Sequence, residues 1–151
     1  MEARFEAFTI LIAKASRLIY KIKTEEMAEY NLKSSHVSCL YYLYKEQSLT
    51  AKELSTLCGE DKANISRAIN YLENEEYLYC QSSQKKRYQS ALLLTKKGKR
   101  IGKEIVEKID KILIHSSDGL TNEELKIFYQ SLSTICENLE KYANKLKGEK
   151  F

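Results

Sequence analysis

Proline and tryptophan are absent from this chain of 151 residues, and glycine occurs only five times. Because proline and glycine interrupt helices and supply flexible linkers, their scarcity predicts long helices and excludes a low-complexity tract. No apolar run approaches the length needed to cross a membrane, and the N-terminus lacks the basic and apolar segments of a signal peptide. We therefore expect a cytoplasmic protein with no membrane contact.

Cysteine and histidine are too few and too scattered to suggest a reactive site. The cysteines are Cys39, Cys58, Cys80 and Cys136, with no C-x-x-C pair among them, and the two histidines are isolated. This pattern favours four buried, small apolar side chains over a metal site or a disulfide scaffold. The sequence also has no order of residues that suggests a catalytic triad and no glycine-rich phosphate loop, so we expect no enzyme activity, metal or cofactor.

Basic residues are concentrated in the middle of the chain. Residues 62–103 contain ten Lys or Arg against three Glu, a net charge of +7, whereas the rest has fifteen basic and eighteen acidic residues. A basic centre between slightly acidic flanks is expected of a protein that binds a polyanion, although a lysine-rich solvated face gives the same count. The charge pattern therefore points to DNA only if the fold agrees.

Helix-start and helix-stop signals predict a helix-turn-helix over residues 50–75. Thr50 and Glu53 have the spacing of a capping box, in which each side chain accepts from the backbone N–H of the other residue. Gly59 tolerates positive φ and ends this short helix, and Asp61 caps a second helix over residues 62–75. Two helices joined by a tight glycine turn match a DNA-binding helix-turn-helix in size.

The second of these helices has one apolar and one polar face. A projection at about 100° per residue groups the apolar side chains Ile65, Ala68, Ile69 and Leu72. We expect the polar face and its flanks to bind DNA; they carry Lys62, Ala63, Asn64, Ser66, Arg67 and Asn70. Arginine and asparagine side chains pair with base edges in the major groove, which supports DNA binding. The competing interpretation is that this face is an ordinary solvent-facing surface.

Two short strands joined by a basic loop are predicted directly after this helix. Residues 77–82 and 90–94 are rich in aromatic and aliphatic side chains, and the polar loop between them carries Lys85, Lys86 and Arg87. Such a hairpin forms a wing, whose tip lies along phosphates or inserts an arginine into the minor groove. We therefore expect these three cations to bind DNA. Because the wing directly follows the second helix, it also favours DNA binding by that helix over an ordinary solvent-facing surface.

Apolar stripes predict that both terminal segments are dimerisation helices. Residues 2–30 have apolar side chains at alternating spacings of three and four. The last helix, which starts at a capping box of Thr121 and Glu124, has a heptad pattern at Leu125, Phe128, Leu132, Ile135, Leu139, Tyr142 and Leu146. These stripes favour an intertwined homodimer, and the alternative is that the terminal helices cover each other within one chain.

Together these features resemble the MarR family of winged-helix regulators over essentially the whole chain. Residues 61–67, Asp-Lys-Ala-Asn-Ile-Ser-Arg, are similar to the opening of the family's recognition helix, and residues 94–98, Leu-Thr-Lys-Lys-Gly, to the start of its helix after the wing. Two departures are Glu76, where the family usually has glycine, and a wing without the family's aspartate, so that only Arg87 is carried over there.

The resemblance implies a fold class that is mainly α with a small β wing. Residues 1–151 would form a single MarR-like domain, with the winged helix-turn-helix at residues 34–98 and the dimerisation helices at residues 1–30 and 99–151. It also implies a sequence-specific transcriptional regulator, a repressor that binds a palindromic operator as a homodimer and is released by a small-molecule or redox signal.

A small aromatic effector would lie near Ile12, His36, Cys39 and Tyr41, with simple core packing of these residues as the competing interpretation. The alternative function is a helical adaptor or protein-interaction module that does not bind DNA. Its apolar stripes would bind a partner protein, and its basic centre would be only a solvated face.

Overall fold

The computed structural model describes residues 2–81 and 89–148. Its helices are α1 (Glu2–Glu26), a 3-10 turn (Ala28–Tyr30), α2 (Ser34–Glu46), α3 (Ala51–Cys58), α4 (Lys62–Asn74), α5 (Lys96–Ser116) and α6 (Asn122–Gly148), and its strands are β1 (Leu78–Cys80) and β2 (Leu92–Leu94). The predicted fold class, mainly α with a small β wing, is confirmed. Residues 1–110 and 111–151 are two compact units.

The core of the first unit lies where α2, α3 and α4 pack on one another. Leu40, Leu54, Ile65 and Leu72 are fully buried there, and α2 contacts both α3 and α4. Residues of β1, β2 and α5, among them Leu78, extend the same cluster. The helix-turn-helix and the sheet therefore share a single core, which fixes the orientation of α4.

The predicted caps around the helix-turn-helix are present. The Thr50 hydroxyl accepts from the backbone N–H of Glu53, and the Glu53 carboxylate accepts from the backbone N–H of Thr50 at 2.7 Å. Gly59 has a φ of +64°, and Asp61 accepts from the backbone N–H of Asn64 at 2.8 Å. These bonds satisfy N–H groups that a helix start leaves unpaired and set the turn between α3 and α4.

Hydrogen bonds define the start of α2 and the end of α1, and the second of these boundaries differs from the prediction. Ser34 is the first residue of α2, and its cap is Lys33, whose backbone N–H donates to His36 Nδ1 at 3.1 Å. The first helix ends at Glu26, not at residue 30, and a 3-10 turn follows it. Lys108 of α5 holds this end, because its Nζ donates to the carbonyl of Glu26 at 2.7 Å.

The two strands are antiparallel and shorter than predicted. Leu78 pairs with Leu94, Tyr79 with Leu93 and Cys80 with Leu92. Leu49, which precedes α3, adds a single bridge to Leu92, with the Leu92 N–H donating to the Leu49 carbonyl at 2.8 Å. This bridge, which the sequence did not indicate, ties the start of the helix-turn-helix to the sheet.

The Leu-Thr-x-x-Gly motif makes a close contact between α5 and the end of the helix-turn-helix. The Thr95 hydroxyl donates to the carbonyl of Glu76 at 2.6 Å and accepts from the Gly98 N–H at 3.0 Å. A Cβ at Gly98 would lie only 1.9 Å from the Tyr77 carbonyl oxygen. Only glycine fits this position, while Glu76 has a φ of +59° without being glycine.

In the second unit, α6 follows the predicted capping box of Thr121 and Glu124. The helix has no buried residue, and its heptad positions are exposed or half-buried. Phe128 is 51% exposed and Leu139 55%. An apolar stripe of this length in contact with water is typical of a surface that another protein covers.

Candidate DNA-binding surface

The polar face of α4 is exposed from Lys62 to Asn70. Lys62, Ala63, Asn64, Ser66, Arg67 and Asn70 are all exposed, whereas Ile65, Ala68, Ile69 and Leu72 are all buried. The helical projection therefore places every one of these ten residues correctly. The structure brings the six predicted DNA contacts of α4 together on one surface, and their binding of DNA remains a prediction.

Hydrogen bonds connect the polar residues at the start of α4. Asp61 Oδ2 accepts from the side-chain amide of Asn64 at 3.2 Å. The oxygen of the same amide accepts from the Arg67 guanidinium. Arg67 is therefore held toward the N-terminal end of the helix, which is the end that meets base edges in helix-turn-helix proteins.

The three predicted wing contacts, Lys85, Lys86 and Arg87, lie outside the described residues. The strands that lead to this segment are described, up to Gln81 on one side and from Gln89 on the other. The Gln81 N–H donates to the Ala91 carbonyl at 2.9 Å, which continues the pairing of β1 and β2 beyond Cys80. The expected contribution of these cations to DNA binding stays a prediction.

A second basic group lies at the start of α5. Its residues belong to the basic segment 62–103 but are not among the predicted DNA contacts. Its exposed members are Lys96, Lys97, Lys99, Arg100 and Lys103. Lys97 lies 4.1 Å from the centre of the Tyr77 ring and donates to the Glu75 carbonyl at 2.6 Å, so it also links α5 to the end of the helix-turn-helix. The density of positive charge in residues 96–103 was the signal that could have identified this surface.

The four residues predicted near an effector have different environments. Ile12 is 40% exposed on α1, Tyr41 is half-buried, and Cys39 is fully buried. His36 is buried and stacks on Tyr71 of α4, with the ring centres 4.2 Å apart, and burial followed by the Lys33 charge lowers its pKa. This stacking joins α2 to α4.

Only one of the four cysteines is buried, so the prediction of four buried thiols is wrong. Cys39 is buried, Cys58 and Cys80 are half-buried, and Cys136 is exposed. The Cys39 thiol donates a hydrogen bond to Cys58, which raises the pKa of Cys39 and lowers the pKa of Cys58. Cys58 ends α3 and directly precedes the turn of the helix-turn-helix.

A cavity of about 390 Å³ lies between α2, β2 and the start of α5. Its lining residues are Leu43, Tyr44, Gln47, Leu94, Lys99, Arg100 and Lys103, and none of the four predicted effector residues is among them. The backbone of α5 can approach Tyr44 closely because residue 102 is glycine: a Cβ there would lie 2.9 Å from Tyr44 Cβ. The cavity thus combines an aromatic ring with three cations.

Two further findings concern the described residues as a whole. Across residues 2–81 and 89–148, no group of three or more His, Cys, Asp or Glu side chains could hold a metal ion. Within the same ranges, no helix is long and apolar enough to span a membrane.

Comparisons with known proteins agree with this geometry. Residues 36–113 match the profile of the winged helix DNA-binding domain family. The chain is 28% identical over 131 residues to YwaE of Bacillus subtilis (strain 168), named as an uncharacterized HTH-type transcriptional regulator, and the alignment covers 87% of this chain and 77% of YwaE.

Solved structures with the same fold include MarR-family proteins. A MarR protein of Peptoclostridium difficile superposes with a TM-score of 0.80 at 21% identity, covering 92% of this chain and 91% of that protein. MepR of S. aureus, solved in complex with DNA, superposes with a TM-score of 0.77 at 16% identity, covering 87% of this chain and 97% of MepR. The chain therefore belongs to the winged helix DNA-binding domain family and has the fold of MarR-type winged-helix proteins, as the sequence resemblance predicted.

Proposed function

We propose that this chain is a transcriptional repressor that binds a palindromic operator as a homodimer. The exposed face of α4 reads bases in the major groove, and Lys85, Lys86 and Arg87 of the wing bind phosphates or the minor groove. The observation that carries this proposal is the separation of residues 62–70 of α4 into a buried apolar face and an exposed face that carries Lys, Asn, Ser and Arg. The family match favours this function over the helical adaptor.

The homodimer is supported by apolar side chains that a single chain leaves in water. On α1 they include Ile10 and Leu11, and on α6 they include Phe128, Leu139 and Tyr142, each more than half exposed. A second copy that covers these stripes would give residues 1–30 and 99–151 their dimerisation role and residues 34–98 the DNA-binding role. It would also present two α4 helices to half-sites spaced by whole turns of DNA, about 10–10.5 base pairs each.

Sedimentation of two matched variants tests the dimer. The wild-type protein should sediment at about twice the chain mass of 17.5 kDa at micromolar concentration. Leu139→Asp should give a monomer, because dimerisation would bury an unpaired charge. The control, Asn144→Asp, places the same charge at an exposed position outside the heptad stripe and should remain a dimer. A wild-type monomer that binds a palindrome tightly would contradict the proposal.

Salt titration separates base reading by α4 from phosphate binding by the wing. Arg67→Ala should cost about 1–3 kcal/mol on a duplex selected by the wild-type protein and should lower the ratio of specific to non-specific affinity. Lys86→Ala should weaken binding to selected and scrambled duplexes alike and reduce the salt slope by about one unit. If Arg67→Ala preserves the ratio and Lys86→Ala destroys it, the two assignments are reversed.

A small aromatic acid is the effector that the cavity beside Tyr44 suits best. The Tyr44 ring offers an apolar surface, and Lys99, Arg100 and Lys103 offer charge for a carboxylate. Salicylate or a related phenolic acid should weaken DNA binding by the wild-type protein and have a smaller effect on Arg100→Ala. If none of these compounds changes the melting temperature or the DNA affinity, the effector part of the proposal is wrong.

A further inference from the structure

The side chains at the start of α4 form a connected line over the first two turns of the helix. Asp61 uses Oδ1 to accept from the backbone N–H of Asn64 at 2.8 Å and Oδ2 to accept from the Asn64 side chain at 3.2 Å. The oxygen of the Asn64 amide accepts from the Arg67 guanidinium. The carboxylate therefore restrains the amide, and the amide restrains the guanidinium.

The chemistry of the two partners determines how the Asn64 amide is oriented. A carboxylate only accepts hydrogen bonds and a guanidinium only donates them, so the NH₂ group must face Asp61 and the oxygen must face Arg67. The opposite orientation would place donor against donor and acceptor against acceptor. One N–H of the amide and one lone pair of its oxygen are therefore engaged within the protein, and the Asn64 side chain already contacts Arg67 before any base is present.

We propose that Asn64 is a positioning residue for Arg67 and not a direct reader of a base. This inference rests on the proposed function, in which Arg67 reads a base. An arginine side chain loses considerable rotamer freedom when it is fixed against a base edge, and this loss reduces affinity. Asn64, itself held by Asp61, restricts the Arg67 side chain before DNA arrives and so reduces the loss on binding.

The size of the effect follows from the entropy of one long side chain. Immobilising such a side chain at an interface costs about 0.5–1.5 kcal/mol, which corresponds to about a 2- to 12-fold change in affinity. Asn64→Ala should therefore weaken binding to a selected duplex by about 2- to 12-fold. It should leave binding to a scrambled duplex nearly unchanged, because no base is read there.

A double-mutant cycle separates positioning from direct contact. Affinities of the wild type, Asn64→Ala, Arg67→Ala and the double variant are measured on two duplexes, one selected by the wild-type protein from a random library and one scrambled. If Asn64 acts through Arg67, its removal should change nothing further in the Arg67→Ala background. Asn64→Ala should fold normally, because Asp61 Oδ1 still accepts from the backbone N–H of residue 64; melting temperatures check this. Asn74→Ala, the same change at the exposed end of α4, is the control and should match the wild type.

A second readout uses the protein without DNA. The order parameter of the Arg67 Nε–Hε group, measured by ¹⁵N relaxation, should fall in Asn64→Ala and stay unchanged in Asn74→Ala. An unchanged order parameter in Asn64→Ala would overturn the inference. So would an equal loss of specific affinity on removing Asn64 in the presence and absence of Arg67, or no loss at all. If Arg67→Ala itself leaves the ratio of specific to non-specific affinity intact, the proposed base reading fails together with the inference.

Discussion

Replacing Gly98 with alanine should destabilise the protein, because the Tyr77 carbonyl occupies the space that the new methyl group needs. A Cβ at position 98 would lie 1.9 Å from that oxygen and 3.1 Å from Leu94 Cδ2. Carbon and oxygen atoms in contact normally stand roughly 3.3 Å or more apart. The first turn of α5 and the end of the helix-turn-helix would have to separate by more than an ångström, which would also break the bond from the Thr95 N–H to Tyr77, now 3.1 Å.

The expected loss is the balance of three contributions. Overpacking of a close contact costs about 1–3 kcal/mol, and a lost hydrogen bond costs about 1 kcal/mol more. Alanine favours a helix over glycine by at most about 1 kcal/mol, which offsets part of the loss. The free energy of unfolding should therefore fall by about 1–3 kcal/mol.

Urea unfolding at one fixed protein concentration measures this effect, with two other glycines of the same chain as comparisons. Gly148→Ala has no neighbour within 4 Å and should be neutral or slightly stabilising. Gly102→Ala should be intermediate, because its Cβ would lie 2.9 Å from Tyr44 Cβ, a smaller overlap than the 1.9 Å contact at position 98. If Gly98→Ala unfolds at the same urea concentration as Gly148→Ala, the reasoning about this contact is wrong.

Two further predictions concern the ends of α2 and α4. Glu76→Gly should raise the free energy of unfolding by up to about 1 kcal/mol in the same urea assay, because Glu76 has a φ of +59° and glycine adopts this conformation without strain; a loss of stability would contradict it. Burial and the Lys33 charge hold the pKa of His36 below its ordinary value of 6.5, so the unfolded chain takes up a proton first as the pH falls and the free energy of unfolding should decrease below that pH. His36→Gln should show a shallower decrease in thermal melts across this range, and an equal slope in both proteins would refute the assignment.

The elements that carry local signals could be predicted from the sequence. The face of α4 followed from the spacing of Ile65, Ile69 and Leu72, and both capping boxes follow from a residue pair three positions apart. These features depend on neighbours within about one helical turn, so the chain alone specifies them. The position of Arg67 on the exposed face was predictable for the same reason.

Features that depend on contacts between distant segments were not predictable. The Leu49 bridge to Leu92 and the stacking of His36 on Tyr71 join residues more than thirty positions apart, and no local pattern encodes them. The cavity beside Tyr44 depends on how closely α5 approaches α2. Glycine at position 102 permits this close approach, but a glycine in the sequence does not by itself indicate which segment packs against it. The left-handed conformation of Glu76 is another such case: glutamate has no local preference for it, and the Glu76 carbonyl accepts a hydrogen bond from Thr95, a residue distant in sequence.

Selection of DNA from a random library, carried out in parallel with the wild-type protein and Arg67→Ala, tests most directly whether the exposed face of α4 reads DNA sequence. The wild-type protein should enrich one motif with two-fold symmetry, with half-sites spaced by whole turns of about 10–10.5 base pairs. Arg67→Ala should lose the preference at one base pair in each half-site and keep the spacing, because the dimer is unchanged. Failure of the wild-type protein to enrich any motif, or identical motifs from both proteins, would contradict the account.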